Sequence, residues 1–142
     1  MRVSHVLGGL IAVASLATGT AWAKDTLVMQ SIYPGTLPLL GDTGKKLGDR
    51  LAAVTGGELQ IEFNDPGALV ASNEIWDAVS TGAVDAAWYS PGFAQGIIPS
   101  AALFTAVPFG PDVREYSAWY YNGGGHELWN EIAGRYDVHS EL

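Results

Sequence analysis

The chain has 142 residues, with fifteen acidic against seven basic side chains, a net charge of −8 and no cysteine. An acidic surface repels phosphate backbones, which excludes nucleic acid as a natural partner. Without cysteine no disulfide holds the fold, and packing alone must do so, a pattern that suits a bacterial periplasmic protein better than a small extracellular module.

Arg2, the apolar run from Val6 to Ala17 and the small-residue triplet Ala21-Trp22-Ala23 ahead of Lys24 read as a secretory signal peptide over residues 1–23. Twelve residues interrupted by Gly8, Gly9 and Ser15 are too few to span a bilayer. Residues 24–142 then carry enough apolar content for one small domain.

Leu27-Val28-Met29 forms a first strand that leaves through Ile32-Tyr33-Pro34-Gly35. A helix capped by Thr36 follows, with Pro38 tolerated in its first turn. It carries a stripe of Leu40, Leu47, Leu51 and Val54, with Lys45, Lys46, Asp49 and Arg50 on the solvent side. Gly44 and Gly48 cost helix propensity and point to close packing on a sheet. After the stop at Thr55-Gly56-Gly57, the alternation from Glu58 to Phe63 predicts a half-buried strand ended by Asn64-Asp65-Pro66-Gly67.

The clearest unit runs from Ser72 to Ser90. Ser72 is a cap candidate, and Glu74 and Asp77 favour the first turns through the helix dipole. Ile75, Trp76 and Val79 share a face, and Gly82 supplies a left-handed stop. Val84 to Tyr89 then reads as a buried parallel strand. The expected fold class is therefore α/β, starting β-α-β-α-β, with right-handed crossovers placing the first strand between the other two. Pro91 to Gly110 reads as an ordered loop anchored by Leu103-Phe104 and Val107. Asp112 caps a helix burying Val113, Tyr116 and Tyr120. Gly123-Gly124-Gly125 breaks it, and a last helix from His126 to about Arg135 buries Leu128, Trp129 and Ile132, with Tyr136 extending the stripe.

Catalytic chemistry finds little material. His126-Glu127 begins like a zinc-protease motif, but Asn130 stands where the second histidine belongs, and His126 reads as a solvated helix start. The glycine triplet follows a helix rather than a strand and lacks the Lys-Ser/Thr ending of a phosphate loop. Asp65, Asp85 and Glu62 read as solvated or capping. Trp88, Tyr89 and Phe93 fall at the carboxyl end of a parallel strand, where open α/β sheets bind ligands. Position alone leaves pocket and core equally open for these three.

Leu103 to Gly110 (LFTAVPFG) followed by Ala118 to Trp129 (AWYYNGGGHELW) closely resembles the solute-binding proteins of tripartite ATP-independent periplasmic (TRAP) transporters, DctP type, and most of all the subgroup associated with 2-oxo acids and related monocarboxylates. Thr55 to Ile61 and Asp77 to Asp85 add supporting matches. The resemblance implies a non-enzymatic, two-lobed clamshell of the type II-like periplasmic binding class, with residues 24–142 as its amino-terminal lobe. It closes on a small organic anion in the periplasm and delivers it to a small and a large membrane subunit. A homodimer is among the assemblies it allows. The arginine that clamps the substrate carboxylate and the metal ligands of the subgroup belong to the second lobe, past Leu142, so the resemblance places no cofactor in residues 24–142 and leaves any cation to that lobe. Ligand contact in this lobe falls to Tyr89, Phe93 and Trp88. Where the subgroup tends to carry a Tyr-Tyr pair before the loop glycine, this chain has Gly92 and Phe93 before Gly96, and the Tyr89 hydroxyl stands in from the strand end. Two other classes share the α/β pattern: a secreted hydrolase fragment, which lacks a nucleophile motif here, and a ligand-sensing lobe that docks on a membrane receptor.

Overall fold

The computed structural model describes residues 25–141; the signal-peptide reading of residues 1–23 lies outside them. Strand β1 (Asp25–Ser31) is followed by helix α1 (Asp42–Val54), strand β2 (Leu59–Asn64), helix α2 (Ile75–Ser80) and strand β3 (Ala86–Trp88). Two 3-10 turns (Pro91–Ala94 and Pro99–Phe104) lead to α3 (Val113–Asn122) and α4 (Gly125–Gly134). The sheet has the order β2-β1-β3 and is parallel throughout, with Asp25 opposite Leu59, Met29 opposite Ala86 and Ser31 opposite Trp88. The first strand is central, as the two crossovers require.

Helix α1 departs from the expected start at Thr36. Leu39 takes φ +66°, a left-handed conformation that no helix interior accommodates, and the chain coils through hydrogen bonds from Leu37 N to Pro34 O and from Gly41 N to Leu37 O before the helix begins at Asp42. The leucine stripe is also rotated away from the sheet. Leu40 and Leu47 are exposed and Val54 is 81% exposed, whereas Gly44 is buried. The glycine ridge decides the orientation, because without side chains it lets the helix backbone approach the rings of Phe63 and Trp88 and the side chain of Ile61.

A Cβ at position 44 would lie 2.8 Å from Phe63 Cε2 and 2.9 Å from Trp88 Cγ. Gly44→Ala is therefore expected to destabilise by roughly 1–3 kcal/mol despite alanine's better helix propensity. Gly134→Ala meets nothing within 4 Å and is expected to be neutral or stabilising. Paired thermal melts of the two variants check this; a Gly44→Ala melt at or above wild type would show that the helix does not need its close approach.

Ser72 does not cap α2. A turn closed from Glu74 N to Ala71 O already covers that position, and the helix starts after Glu74 without a side-chain cap. Ile75, Trp76 and Ala78 form its buried face, and Gly82 takes φ +73° as the stop demands. The third strand is shorter than Val84 to Tyr89 because Val84 N turns back to Ala78 O. Asp85 is exposed, as expected, and also takes part in the sheet. Its Oδ2 accepts from Val28 N at 2.8 Å, and its own N–H donates to Val28 O, so it extends the ladder between β1 and β3.

The core beyond the sheet is aromatic. Trp129, Tyr120, Phe104 and Trp76 are buried together with Ala94, Ile98, Ala101 and Ala133. Of the loop anchors, Phe104 holds, but Leu103 and Val107 are exposed and small residues of the two 3-10 turns replace them. Asp112 caps α3 in a full capping box with Glu115. Val113 at the start of α3 and Leu128 in α4 face outward, so each helix buries a narrower face than its periodicity suggested. Gly124 at φ +87° turns the chain between them, and Gly125 lies so close to Tyr120 that a Cβ would meet its Cα at 2.8 Å.

Candidate functional site

The carboxyl ends of the neighbouring parallel strands β1 and β3 bring Tyr33 and Tyr89 to one corner of the molecule. Phe93 joins them from the 3-10 turn after β3, edge-on to Tyr33 with ring centroids 6.3 Å apart and tilted against Tyr89 at 6.0 Å. Tyr89 also packs on Trp76 of the core at 6.3 Å. Phe93 is 58% exposed, so its ring is not simply core. Trp88 points differently. It stands against Gly44 of α1, and its indole N–H donates to Leu40 O, which ties the end of β3 to the turn before α1. The corner is held from below by Thr105, whose hydroxyl accepts from Gly92 N and lies 3.2 Å from the Ser90 hydroxyl.

A cleft of about 510 Å³ runs along β3 and reaches this corner, within the size range of small-molecule sites. Tyr33, Leu40, Trp88, Tyr89, Phe104, Tyr116 and Trp129 are among the residues that line it. No lysine or arginine lines it; its charged or titratable neighbours, tyrosines aside, are Asp85, His139 and Glu141. The arrangement can therefore offer apolar and aromatic surface and tyrosine hydroxyls, but no fixed positive charge for a carboxylate.

Burial pushes the Tyr89 hydroxyl up to about 12, helped by the negative charge of Asp77 and by Tyr33, so it stays a neutral hydrogen-bonding group at any physiological pH. Burial likewise pushes Tyr120 up to about 12. Both groups keep their protons between pH 10 and 12, where an unfolded tyrosine has lost its own. The folded state then binds more protons than the unfolded one, and stability falls as pH rises through that window. Urea midpoints are expected to hold steady below pH 10 and drop above it, with a smaller drop in Tyr120→Phe; equal drops in both proteins would remove Tyr120 from the account.

Tyr33 is the member of this corner that the sequence reading passed over, because it sits in a turn far from Tyr89 along the chain. Its signal was available in the strand order, since a central β1 must deliver its following residue beside the end of β3. His126 is not the solvated helix start it resembles. Its Nε2 lies 2.8 Å from Asn130 Nδ2 and 3.2 Å from Ser140 O, and Asn130 also binds the Ser140 backbone N–H. Glu141 lies between His126 and His139.

The sequence profile of bacterial extracellular solute-binding protein family 7, DctP, matches residues 31–138. The monocarboxylate 2-oxoacid-binding periplasmic protein of Nostoc sp. (strain PCC 7120) is 34% identical over 89 residues, covering 63% of this chain and 24% of that protein. Among solved structures, a TRAP periplasmic solute-binding protein from Pseudoalteromonas atlantica T6c with bound sodium and pyruvate superposes at a TM-score of 0.75 with 26% identity, over 80% of this chain and 34% of that one. One from Bordetella bronchiseptica RB50, a dimer with calcium and picolinate in an occupied site, gives 0.75 and 25% over 82% and 34%. The chain thus spans about a third or less of the length of these relatives. With the parallel sheet, the strand-end corner and a family match over most of its residues, this chain belongs to the DctP family of bacterial extracellular solute-binding proteins.

Proposed function

We propose that the protein is the solute-binding component of a TRAP transporter, with residues 24–142 forming the amino-terminal lobe of a clamshell. It captures a small organic anion, a 2-oxo acid or another monocarboxylate, in the periplasm and passes it to a small and a large membrane subunit. It performs no chemistry on the solute. The observation that carries this reading is the aromatic corner of Tyr33, Tyr89 and Phe93 at the ends of two adjacent parallel strands. Because no basic side chain lines the cleft, this lobe contacts the organic part of the solute, while charge compensation for its carboxylate comes from the rest of the relatives' length.

Two solved relatives carry bound pyruvate together with bound sodium or bound calcium. The described residues of this chain do not fit such an ion. Asp85 spends its Oδ2 on a backbone N–H, Glu141 sits against two imidazoles, and no group of three His, Cys, Asp or Glu residues is placed to ligate a metal among the described residues.

Titration calorimetry with pyruvate, in sodium and in calcium, on a chain extended to the relatives' length is the test. A folded protein that takes up no small organic anion would end the proposal. Within that protein, Tyr89→Ala and Phe93→Ala are each expected to weaken binding more than about tenfold, or about 1.4 kcal/mol. Unchanged affinity in both variants would return the two rings to a packing role. Substrate capture then shifts the population of open and closed lobes, which is what a membrane subunit can read.

A further inference from the structure

A ring that is 58% exposed, as Phe93 is, gains little position from burial, so its place in the corner is set by the backbone turn that carries it. That turn, Pro91–Ala94, is a single round of 3-10 helix. Its first amides cannot all be served from within. Pro91 has no N–H, and Phe93 N donates to Ser90 O at 3.1 Å, which leaves Gly92 N as the donor to be matched from outside. Ser90 stands at the cap position, yet its side chain does not cap the turn.

The acceptor comes from thirteen residues further along the chain. Thr105 Oγ1 takes the Gly92 N–H and lies 3.2 Å from Ser90 Oγ, so one hydroxyl engages both the open amide and the idle cap residue. Glycine permits the approach, since a Cβ at position 92 would lie 3.0 Å from Thr105 Oγ1 and 3.2 Å from Thr105 Cβ. Thr105 is itself well anchored. It closes the second 3-10 turn directly after Phe104, which is 5% exposed and packs on Trp129 with ring centroids 5.0 Å apart. Buried Ala94 fixes one end of the Phe93 turn in the core, and Thr105 fixes the other.

We infer that Thr105 is a positioning residue for solute capture, whose hydroxyl caps the Phe93 turn in place of Ser90 and so holds the ring at the Tyr33 and Tyr89 corner. The inference rests on the transport reading above, because it needs a solute that meets Phe93. Thr105 acts through the Gly92 backbone rather than on the solute. Without the hydroxyl, Gly92 N turns to water and a smaller fraction of molecules holds the ring in place, which lowers apparent affinity by that fraction. The clasp is exposed, so the loss is moderate, about three- to tenfold.

Titration calorimetry with pyruvate, on the chain extended to the relatives' length and in a double-mutant cycle with Phe93→Ala, tests this. Thr105 is exposed, so changes there leave the core intact. Thr105→Val keeps the shape without the hydroxyl and is expected to weaken pyruvate binding about three- to tenfold. Thr105→Ser restores the hydroxyl and is expected to recover most of the wild-type affinity. In the Phe93→Ala background the Thr105→Val change should cost less than about twofold, because the ring it positions is gone. Amide exchange at Gly92 should quicken in Thr105→Val. A wild type that takes up no pyruvate would remove the transport reading and this inference together. If wild type binds, this inference alone is overturned by a Thr105→Val protein that binds as well, by an equal loss with and without the Phe93 ring, or by unchanged exchange at Gly92.

Discussion

Trp129→Ala is expected to cost about 3–5 kcal/mol, the usual loss for deleting a buried large aromatic. Trp129 is 1% exposed, and its ring lies 5.0 Å from Phe104 and 5.8 Å from Trp76, so one deletion opens a void shared by α2, α4 and the second 3-10 turn. Single domains have only about 5–15 kcal/mol in total, so this is a large share of the fold's stability. In urea the midpoint should fall by at least 1 M, given slopes of about 1–3 kcal/mol per molar. Leu128→Ala, one residue earlier on the exposed side of α4, should lose less than about 1 kcal/mol. Similar losses in both variants would mean that the aromatic cluster does not hold the helices to the sheet.

Gln30→Leu is the second large effect, and it comes from polarity rather than volume. Gln30 is fully buried in the central strand, and its amide serves three backbone groups of the segment before α2. Nε2 donates to Val70 O at 2.7 Å, while Oε1 accepts from Leu69 N at 3.1 Å and from Val70 N at 2.9 Å. Leucine keeps the approximate volume and strands all three partners. Each buried group left unpaired costs about 1–3 kcal/mol, and partial access to water brings the expected total to roughly 2–4 kcal/mol. Amide exchange at Leu69 and Val70 should rise in step, because those N–H groups lose their acceptor. A Gln30→Leu protein as stable as wild type, with slow exchange at both positions, would show that the segment finds other partners.

Gln30 also marks what could be read along the chain and what could not. A glutamine in a short apolar strand gives no local sign of whether its amide meets water or a distant loop. Asp85 is exposed, as the sequence suggests, yet its carboxylate also accepts from Val28 N in the ladder to β1, which the sequence does not show. Both partners lie about forty residues or more away, beyond any local periodicity.

The candidate site divides the same way. Tyr89 and Phe93 follow a strand, and the general rule for strand ends in α/β sheets put them forward from position alone. Tyr33 follows from the same rule once β1 is central, but only the structure shows its ring edge-on to Phe93. Trp88 was indistinguishable from its neighbour in sequence, yet the structure turns it onto Gly44 and Leu40.

By itself the sequence determined the element types, the parallel order with β1 in the centre, the Asp112 cap, the glycine stop at Gly82 and the family. Each rests on local chemistry or on chain-crossing rules that act over one or two elements. Only the tertiary structure decided which face of each helix is buried. In α1 several apolar residues and two glycines compete for the sheet, and the winner is set by how closely the backbone can approach Phe63 and Trp88, a distance that no pattern of hydrophobicity contains.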